Sequence, residues 1–270
     1  MSESTVCIGL VLPDVMGTYG DGGNALVLRQ RLRMRGHDAE IVEIGLNDPV
    51  PESLDLYTLG GAEDAAQRLA TRHLQRYPGL QRAAERGAPV LAICAAIQVL
   101  GHWYETSSGE RVDGVGILDA TTSPQQTRAI GEIVIRPTLS GLTDVVGRRV
   151  DPGGSDRPLV KNERMNAVGC GTDTAVTVRT TGFENHRGGT TLGSDATGLG
   201  RVDRGVGNGV GDGLEGAVQG SVIGTYLHGP VLARNPELAD HLLMRALGVD
   251  SLPPLDLPEV DLLRQERLRA

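Results

Sequence analysis

The chain has 270 residues, a formal net charge of −8 and a pI near 5.3. That acidity gives no reason to expect nucleic acid or an anionic membrane as partner, and no apolar run approaches membrane-spanning length or forms a secretory leader. Cys7, Cys94 and Cys170 form no CxxC pair, so reduced thiols and a cytoplasmic location are expected.

Val6 to Leu12 is an apolar run that reads as a first strand. A Gly- and Asp-rich loop, Pro13 to Gly23, then runs through Tyr19-Gly-Asp-Gly-Gly-Asn24 into a helix from about Asn24 to Met34. Strands are predicted over Ala39–Ile44 and Leu54–Leu59, the second ending in Gly60-Gly61. Ala65 to Arg86 reads as helical with a break at Pro78-Gly79. Val90 to Ile93 suits a strand buried on both faces of a parallel sheet, and Ala95 to Leu100 the helix after it, stopped by Gly101. This alternation predicts an α/β fold: a doubly wound, mainly parallel sheet flanked by helices, in a single domain.

Val112 to Leu118 and Thr127 to Ile135 are further predicted strands, and Gly141 to Pro158 a polar connection. Thr174 to Thr180 alternates and leads into Gly182-Phe-Glu-Asn-His186. Gly188 to Gly216 is the most glycine-rich stretch. Its Gly205-Val-Gly-Asn-Gly-Val-Gly211 run does not fit GxGxxG, so a flexible surface loop is expected rather than a phosphate cradle. Ser221 to Tyr226 is a late strand ending in Leu227-His228-Gly229-Pro230. Asn235 is expected to cap the last core helix, with Pro236 at its first position and Gly248 past its end. Three prolines and a charged helical tail follow. The expected division is one domain over 5–248 and a C-terminal extension over 249–270.

Cys94 stands at the join of strand and helix, where Ala92, Ala95 and Ala96 let the backbone bend sharply. Such a turn lifts a side chain clear of the sheet, as in a nucleophile elbow. The following helix N-terminus favours negative charge on the sulfur and on an oxyanion. The alternative is a small core residue, since free cysteine is among the most buried types. A thiol nucleophile needs a base, and His228, at the end of another strand, is the first candidate, with His186 its competitor. Lys161 is the only lysine and has no glycine-rich approach, so an ATP-binding P-loop is not expected.

The Cys94 turn with Gln98, the Gly60-Gly61 turn and the strand ending in His228 resemble the class I glutamine amidotransferases. Tyr19-Gly-Asp-Gly-Gly-Asn24, Gly182-Phe-Glu-Asn-His186 and Gly224-Thr-Tyr-Leu-His-Gly-Pro230 are similar to the cobyric-acid-synthase (CobB/CobQ) branch. Within it they are similar to the glutaminase subunits of lipid II isoglutaminyl synthases, over about Thr5 to Gly248. The resemblance implies that Cys94 attacks the side-chain amide of L-glutamine and that His228 is the base. It implies an oxyanion hole from the N–H groups of Gly61 and Ala95, and Arg128 as the residue binding glutamine. Gln98 would touch the substrate or cap the turn. No metal and no cofactor is implied. The implied partner is a MurT-like Mur ligase subunit that binds ATP and lipid II in a heterodimer.

The sequence departs from the family pattern at several points. Ala92 and Ala96 stand where many members have glycines, and Ala62 where a third glycine is common. Pro230 occupies the usual place of a carboxylate two residues after the histidine. Either a Cys–His dyad operates or a carboxylate from elsewhere, Asp14, Asp21 or Glu184, orients the ring. The alternatives to this reading are a glutaminase feeding a different synthetase and a non-catalytic regulatory subunit of the same fold.

Overall fold

The computed structural model describes residues 5–139, 142 and 179–269. The elements of its first part are β1 (Val6–Val11), α1 (Gly23–Arg33), β2 (Ala39–Ile44), β3 (Leu56–Leu59), α2 (Asp64–Arg76), α3 (Gly79–Glu85), β4 (Val90–Ile93) and α4 (Ala95–Leu100). There follow β5 (Trp103–Glu105), β6 (Arg111–Asp113), β7 (Ala120–Pro137), β8 (Thr180–Leu192), β9 (Gly200–Arg204), β10 (Leu214–Glu215), β11 (Ala217–Gln219) and β12 (Val222–Thr225). The chain closes with α5 (Val231–Arg234), α6 (Pro236–Leu247) and α7 (Pro258–Arg269).

One sheet runs in the order β11-β12-β4-β3-β1-β2, parallel throughout except for the edge strand β11. Every residue of β3, β4 and β12 is buried, which is why these segments read as unbroken apolar runs rather than alternating ones. The core is built from Val, Leu, Ile and Ala of these strands and of α1, α4 and α6. Strands β3, β4 and β12 end side by side, so Gly60-Gly61, Cys94 and His228 all issue from the carboxyl edge of one sheet. That edge is where open α/β sheets collect ligands.

The doubly wound expectation holds for this sheet, but the structure adds a second one. Strands β10-β9-β7-β5-β6, with β8 against β7, form a largely antiparallel sheet. The predicted strand Thr127–Ile135 is the middle of β7 in that sheet. Of Val112–Leu118 only the start is strand; Val115 and Ile117 instead donate backbone bonds to Val99 and Leu100, wrapping the end of α4.

Gly188–Gly216 is not a flexible surface loop. It holds the end of β8 and all of β9 and β10, and it buries Thr190, Asn208 and Glu215 completely. Asn235 does precede α6, but its side chain does not cap the helix. It accepts the Thr181 N–H and donates to the carbonyls of Thr181 and Val231, tying β8 to α5. Helix α7 is tied back to the rest of the chain: Arg264 pairs with Glu237 and donates to the Arg179 carbonyl. Gly141–Pro158 apart from Leu142, nearly all of Thr174–Thr180, Lys161 and Cys170 lie outside the described residues. Among the described residues no helix is long and apolar enough to cross a membrane.

Candidate active site

Cys94 is the residue between β4 and α4, and its backbone is strained, with φ +54° and ψ −110°. A side chain in that region costs about 1–3 kcal/mol, which the surroundings must offset. They do so through the main chain: Cys94 N–H donates to Thr225 O at 2.8 Å, and Cys94 O accepts from Ile97 N–H at 2.9 Å. Burial pushes the thiol up to about 12, and the nearby Asp21 charge adds to that. The Ala95 N–H and the Arg128 guanidinium pull it the other way. The group rests as a thiol.

His228 follows β12, the strand beside β4, and is 3% exposed. Its backbone exchanges two bonds with Phe183 of β8, so the motifs around His186 and His228 meet as neighbouring strands. Its Nδ1 lies 3.0 Å from Asp21 Oδ1, and its Nε2 has no hydrogen-bond partner among the described residues. A carboxylate on Nδ1 fixes the proton there and leaves Nε2 free to accept one.

The absence of a carboxylate after His228 is thus made good from the loop between β1 and α1. Gly23 packs directly against the Pro230 ring, with no room for a side chain, and Asn24 Oδ1 accepts the Leu232 N–H at 3.1 Å. These contacts dock the Tyr19–Asn24 motif onto His228-Gly-Pro and bring Asp21 with it. Of the other two candidate carboxylates, Asp14 accepts the Leu46 N–H, and Glu184 accepts the N–H groups of Val206 and Gly207.

A cavity of about 380 Å³ opens over Cys94, lined also by Ala95, Gln98, Arg128, Tyr19, Glu63 and His186. Arg128 reaches it from the exposed middle of β7, donating to Asn185 Oδ1 at 2.7 Å and to the Tyr19 hydroxyl at 3.3 Å. Tyr19 donates in turn to Glu63 at 2.8 Å and packs its ring 4.9 Å from that of His228. The wall therefore carries a cation and a carboxylate, the two charges needed to hold an amino acid by its backbone groups. Gln98 accepts from Gln67 Nε2 at 2.7 Å and lies 3.4 Å from the Tyr226 hydroxyl, so it braces the wall and does not cap its own helix.

Two placements depart from the expected set. The Gly61 N–H donates to Asp21 Oδ2 at 2.9 Å, so it is occupied; the next residue, Ala62, lines the cavity. His186, the competitor base, is on the cavity wall, but its ring is stacked 3.9 Å from Tyr226 and its Nδ1 lies 3.0 Å from Gly188 O. Tyr19, Glu63 and Asn185 join the expected residues on the wall; the sequence signal for Tyr19 and Asn185 is their place inside the Tyr19–Asn24 and Gly182–His186 motifs, and Glu63 carries none.

A profile of the CobB/CobQ-like glutamine amidotransferase domain matches residues 7–236. The chain is 34% identical over 244 residues to "Lipid II isoglutaminyl synthase (glutamine-hydrolyzing) subunit GatD" of Staphylococcus aureus (strain N315), covering 90% of this chain and 84% of that one. It is 31% identical over 257 residues to the protein of the same name from Streptococcus pneumoniae (strain ATCC BAA-255 / R6), covering 94% and 85%. Among solved structures, the glutaminase domain of Trypanosoma brucei CTPS superposes with a TM-score of 0.50 at 10% identity, over 93% of this chain and 97% of that one, a likeness of fold alone. With a match of this extent and the motifs that meet around Cys94, the chain belongs to the CobB/CobQ-like glutamine amidotransferase family.

Proposed function

We propose that this chain is the glutaminase subunit of a lipid II isoglutaminyl synthase. It hydrolyses L-glutamine and passes ammonia to an ATP-dependent, MurT-like partner, which amidates the D-glutamate α-carboxyl of lipid II. The observation that carries the reaction is the strained turn at Cys94, main-chain bonded to the strand that delivers an Asp21-bound His228. The choice of acceptor rests on the two GatD relatives and on their near full-length match.

Glutamine enters with its α-carboxylate on Arg128 and its α-ammonium toward Glu63, and its side chain points at Cys94. His228 Nε2 takes the thiol proton as sulfur attacks the amide carbon, and Asp21 stabilises the imidazolium that forms. The Ala95 N–H and the Ala62 N–H are the donors for the oxyanion, each worth about 3 kcal/mol by analogy with other acyl-transfer sites. The imidazolium returns its proton to nitrogen, the C–N bond breaks, and ammonia leaves a thioester on Cys94. Water, deprotonated by His228, then cleaves the thioester, releasing glutamate and restoring the thiol.

The test is Cys94→Ala, assayed together with the partner. Amidation of lipid II from glutamine is lost, and amidation from ammonium salts persists; a variant that still uses glutamine at the wild-type rate overturns the nucleophile. His228→Ala compared with His186→Ala decides the base. Co-purification from the native cell identifies the partner, and recovery of a synthetase acting on another acceptor would replace the lipid II assignment.

A further inference from the structure

Glu215 is fully buried at the end of β10, and no step of the amidotransfer chemistry above calls for it. Its Oε1 accepts the Thr225 hydroxyl at 2.8 Å and the Tyr226 N–H at 2.7 Å, while Oε2 has no hydrogen-bond partner among the described residues. The Thr225 hydroxyl oxygen in turn accepts the Leu227 N–H at 3.1 Å, and the Thr225 carbonyl accepts the Cys94 N–H at 2.8 Å. These bonds fall where β12 stops being a strand. Thr225 is its last residue, and Tyr226 and Leu227 carry the chain out to His228. One carboxyl therefore stands behind both the amide of Cys94 and the approach of His228.

The glycine-rich segment explains how it gets there. Gly207 and Gly216 have φ of +68° and +70°, and a Cβ on either would strike a backbone carbonyl, that of Leu214 or of Gly224. Only glycine lets β10 come this close to β12. Asn208, also fully buried, locks the turn with bonds to the Gly216 N–H and carbonyl at 2.8 and 3.0 Å. Glu184 holds its other end through the Val206 and Gly207 N–H groups at 2.8 and 3.0 Å. The glycine run frames a carboxyl group, which accounts for its composition without a phosphate.

We propose that Glu215 is a positioning residue: its buried carboxyl fixes the Thr225–Leu227 bend that aligns Cys94 with His228. The proposal rests on the glutaminase reading of the site. The titratable groups around this segment are Glu184 and His186 of β8, Tyr226 within it, Cys94 at the end of neighbouring β4 and His228 directly after it; β9 places Gly200 opposite Glu215. No ion pair is made to Glu215 among the described residues. Burial pushes its carboxyl up to about 8 and the Glu184 charge adds to this, against the two hydrogen bonds from Tyr226 and Thr225. Either protonation state of the carboxyl accepts both bonds, and both donors favour the carboxylate, so the bend holds whichever form is present.

The experiment is the steady-state kinetics of glutamine hydrolysis for the wild type, Glu215→Gln and Glu215→Ala, each in complex with the partner. Glu215→Gln, which keeps the accepting oxygen for the Thr225 hydroxyl and the Tyr226 N–H, holds kcat and KM near the wild-type values. Glu215→Ala loses on the order of tenfold to a hundredfold in kcat with KM for glutamine unchanged, the scale expected of a small misalignment. Glutamine-independent amidation from ammonium salts stays at the wild-type rate in all three. Full kcat in Glu215→Ala, or equal impairment of Glu215→Gln and Glu215→Ala, would overturn the proposal. A wild type that turns over no glutamine would instead overturn the glutaminase reading and this proposal with it, whereas indifferent Glu215 variants beside an active wild type sink the proposal alone.

Discussion

His228 Nδ1 meets Asp21 Oδ1 at 3.0 Å across 207 positions of sequence, and the other oxygen of the same carboxylate accepts the Gly61 N–H at 2.9 Å. One side chain thus ties the loop after β1 to the turn after β3 and to the imidazole. Asp21→Asn keeps the shape but not the charge, so the ring loses both its tautomer and the partner of its imidazolium. The expected loss is on the order of a hundredfold or more in kcat, with KM for glutamine little changed, read by steady-state kinetics. A kcat close to that of the wild type would mean that the Cys–His pair works unaided.

The Cys94 thiol is raised, chiefly by burial, to about 12. For an acid whose pKa is raised, the protonated form persists through neutral pH and the anion grows only as pH climbs toward that value. Alkylation of Cys94 by iodoacetamide, followed by mass spectrometry of its peptide, should therefore rise about tenfold per pH unit between pH 7 and 10 without a plateau. A plateau already at neutral pH would show a standing thiolate.

Arg128 is held by Asn185 and Tyr19, with Tyr19 held by Glu63. Arg128→Ala removes a charge-assisted contact worth about 1.5–3 kcal/mol, so KM for glutamine should rise roughly tenfold to a hundredfold with a smaller change in kcat. Tyr19→Phe removes only the brace, and its effect should be a few-fold on KM. Isothermal titration of glutamine into Cys94→Ala checks both; unchanged affinity would remove Arg128 from the substrate site.

Asn235 makes three side-chain bonds between β8 and α5 and is 1% exposed. Asn235→Ala leaves the Thr181 N–H and two carbonyls unpaired, and a destabilisation of about 2–4 kcal/mol is expected. Urea unfolding midpoints measure it, and turnover per folded molecule should remain. A midpoint equal to that of the wild type would mean that water replaces the side chain at no cost.

The parallel sheet was legible because its strands are buried on both faces and broken by Gly and Pro, and the order of those breaks put Gly61, Cys94 and His228 at one edge. Asp21 was legible only as one of three carboxylates. What selects it is the packing of Gly23 on Pro230, a contact between distant segments that no local pattern encodes. The Gly61 amide was assigned by resemblance to the oxyanion, yet Asp21 takes it, since a carboxylate brought that near binds the closest free donor. The glycine-rich stretch is ambiguous in the sequence for a related reason. Glycine marks flexible chain and close backbone approach alike, and only the neighbours, Gly224 and Leu214, tell them apart.

The two backbone bonds between Phe183 and His228 join the sheets, and they give the molecule a shared lever. Arg128 rides on β7, β7 is zipped to β8, and β8 grips the histidine through its main chain. The side chains proposed to hold the substrate and to move the proton are thereby tied to one ribbon. A shift of β8 is carried to both ends of the cleft.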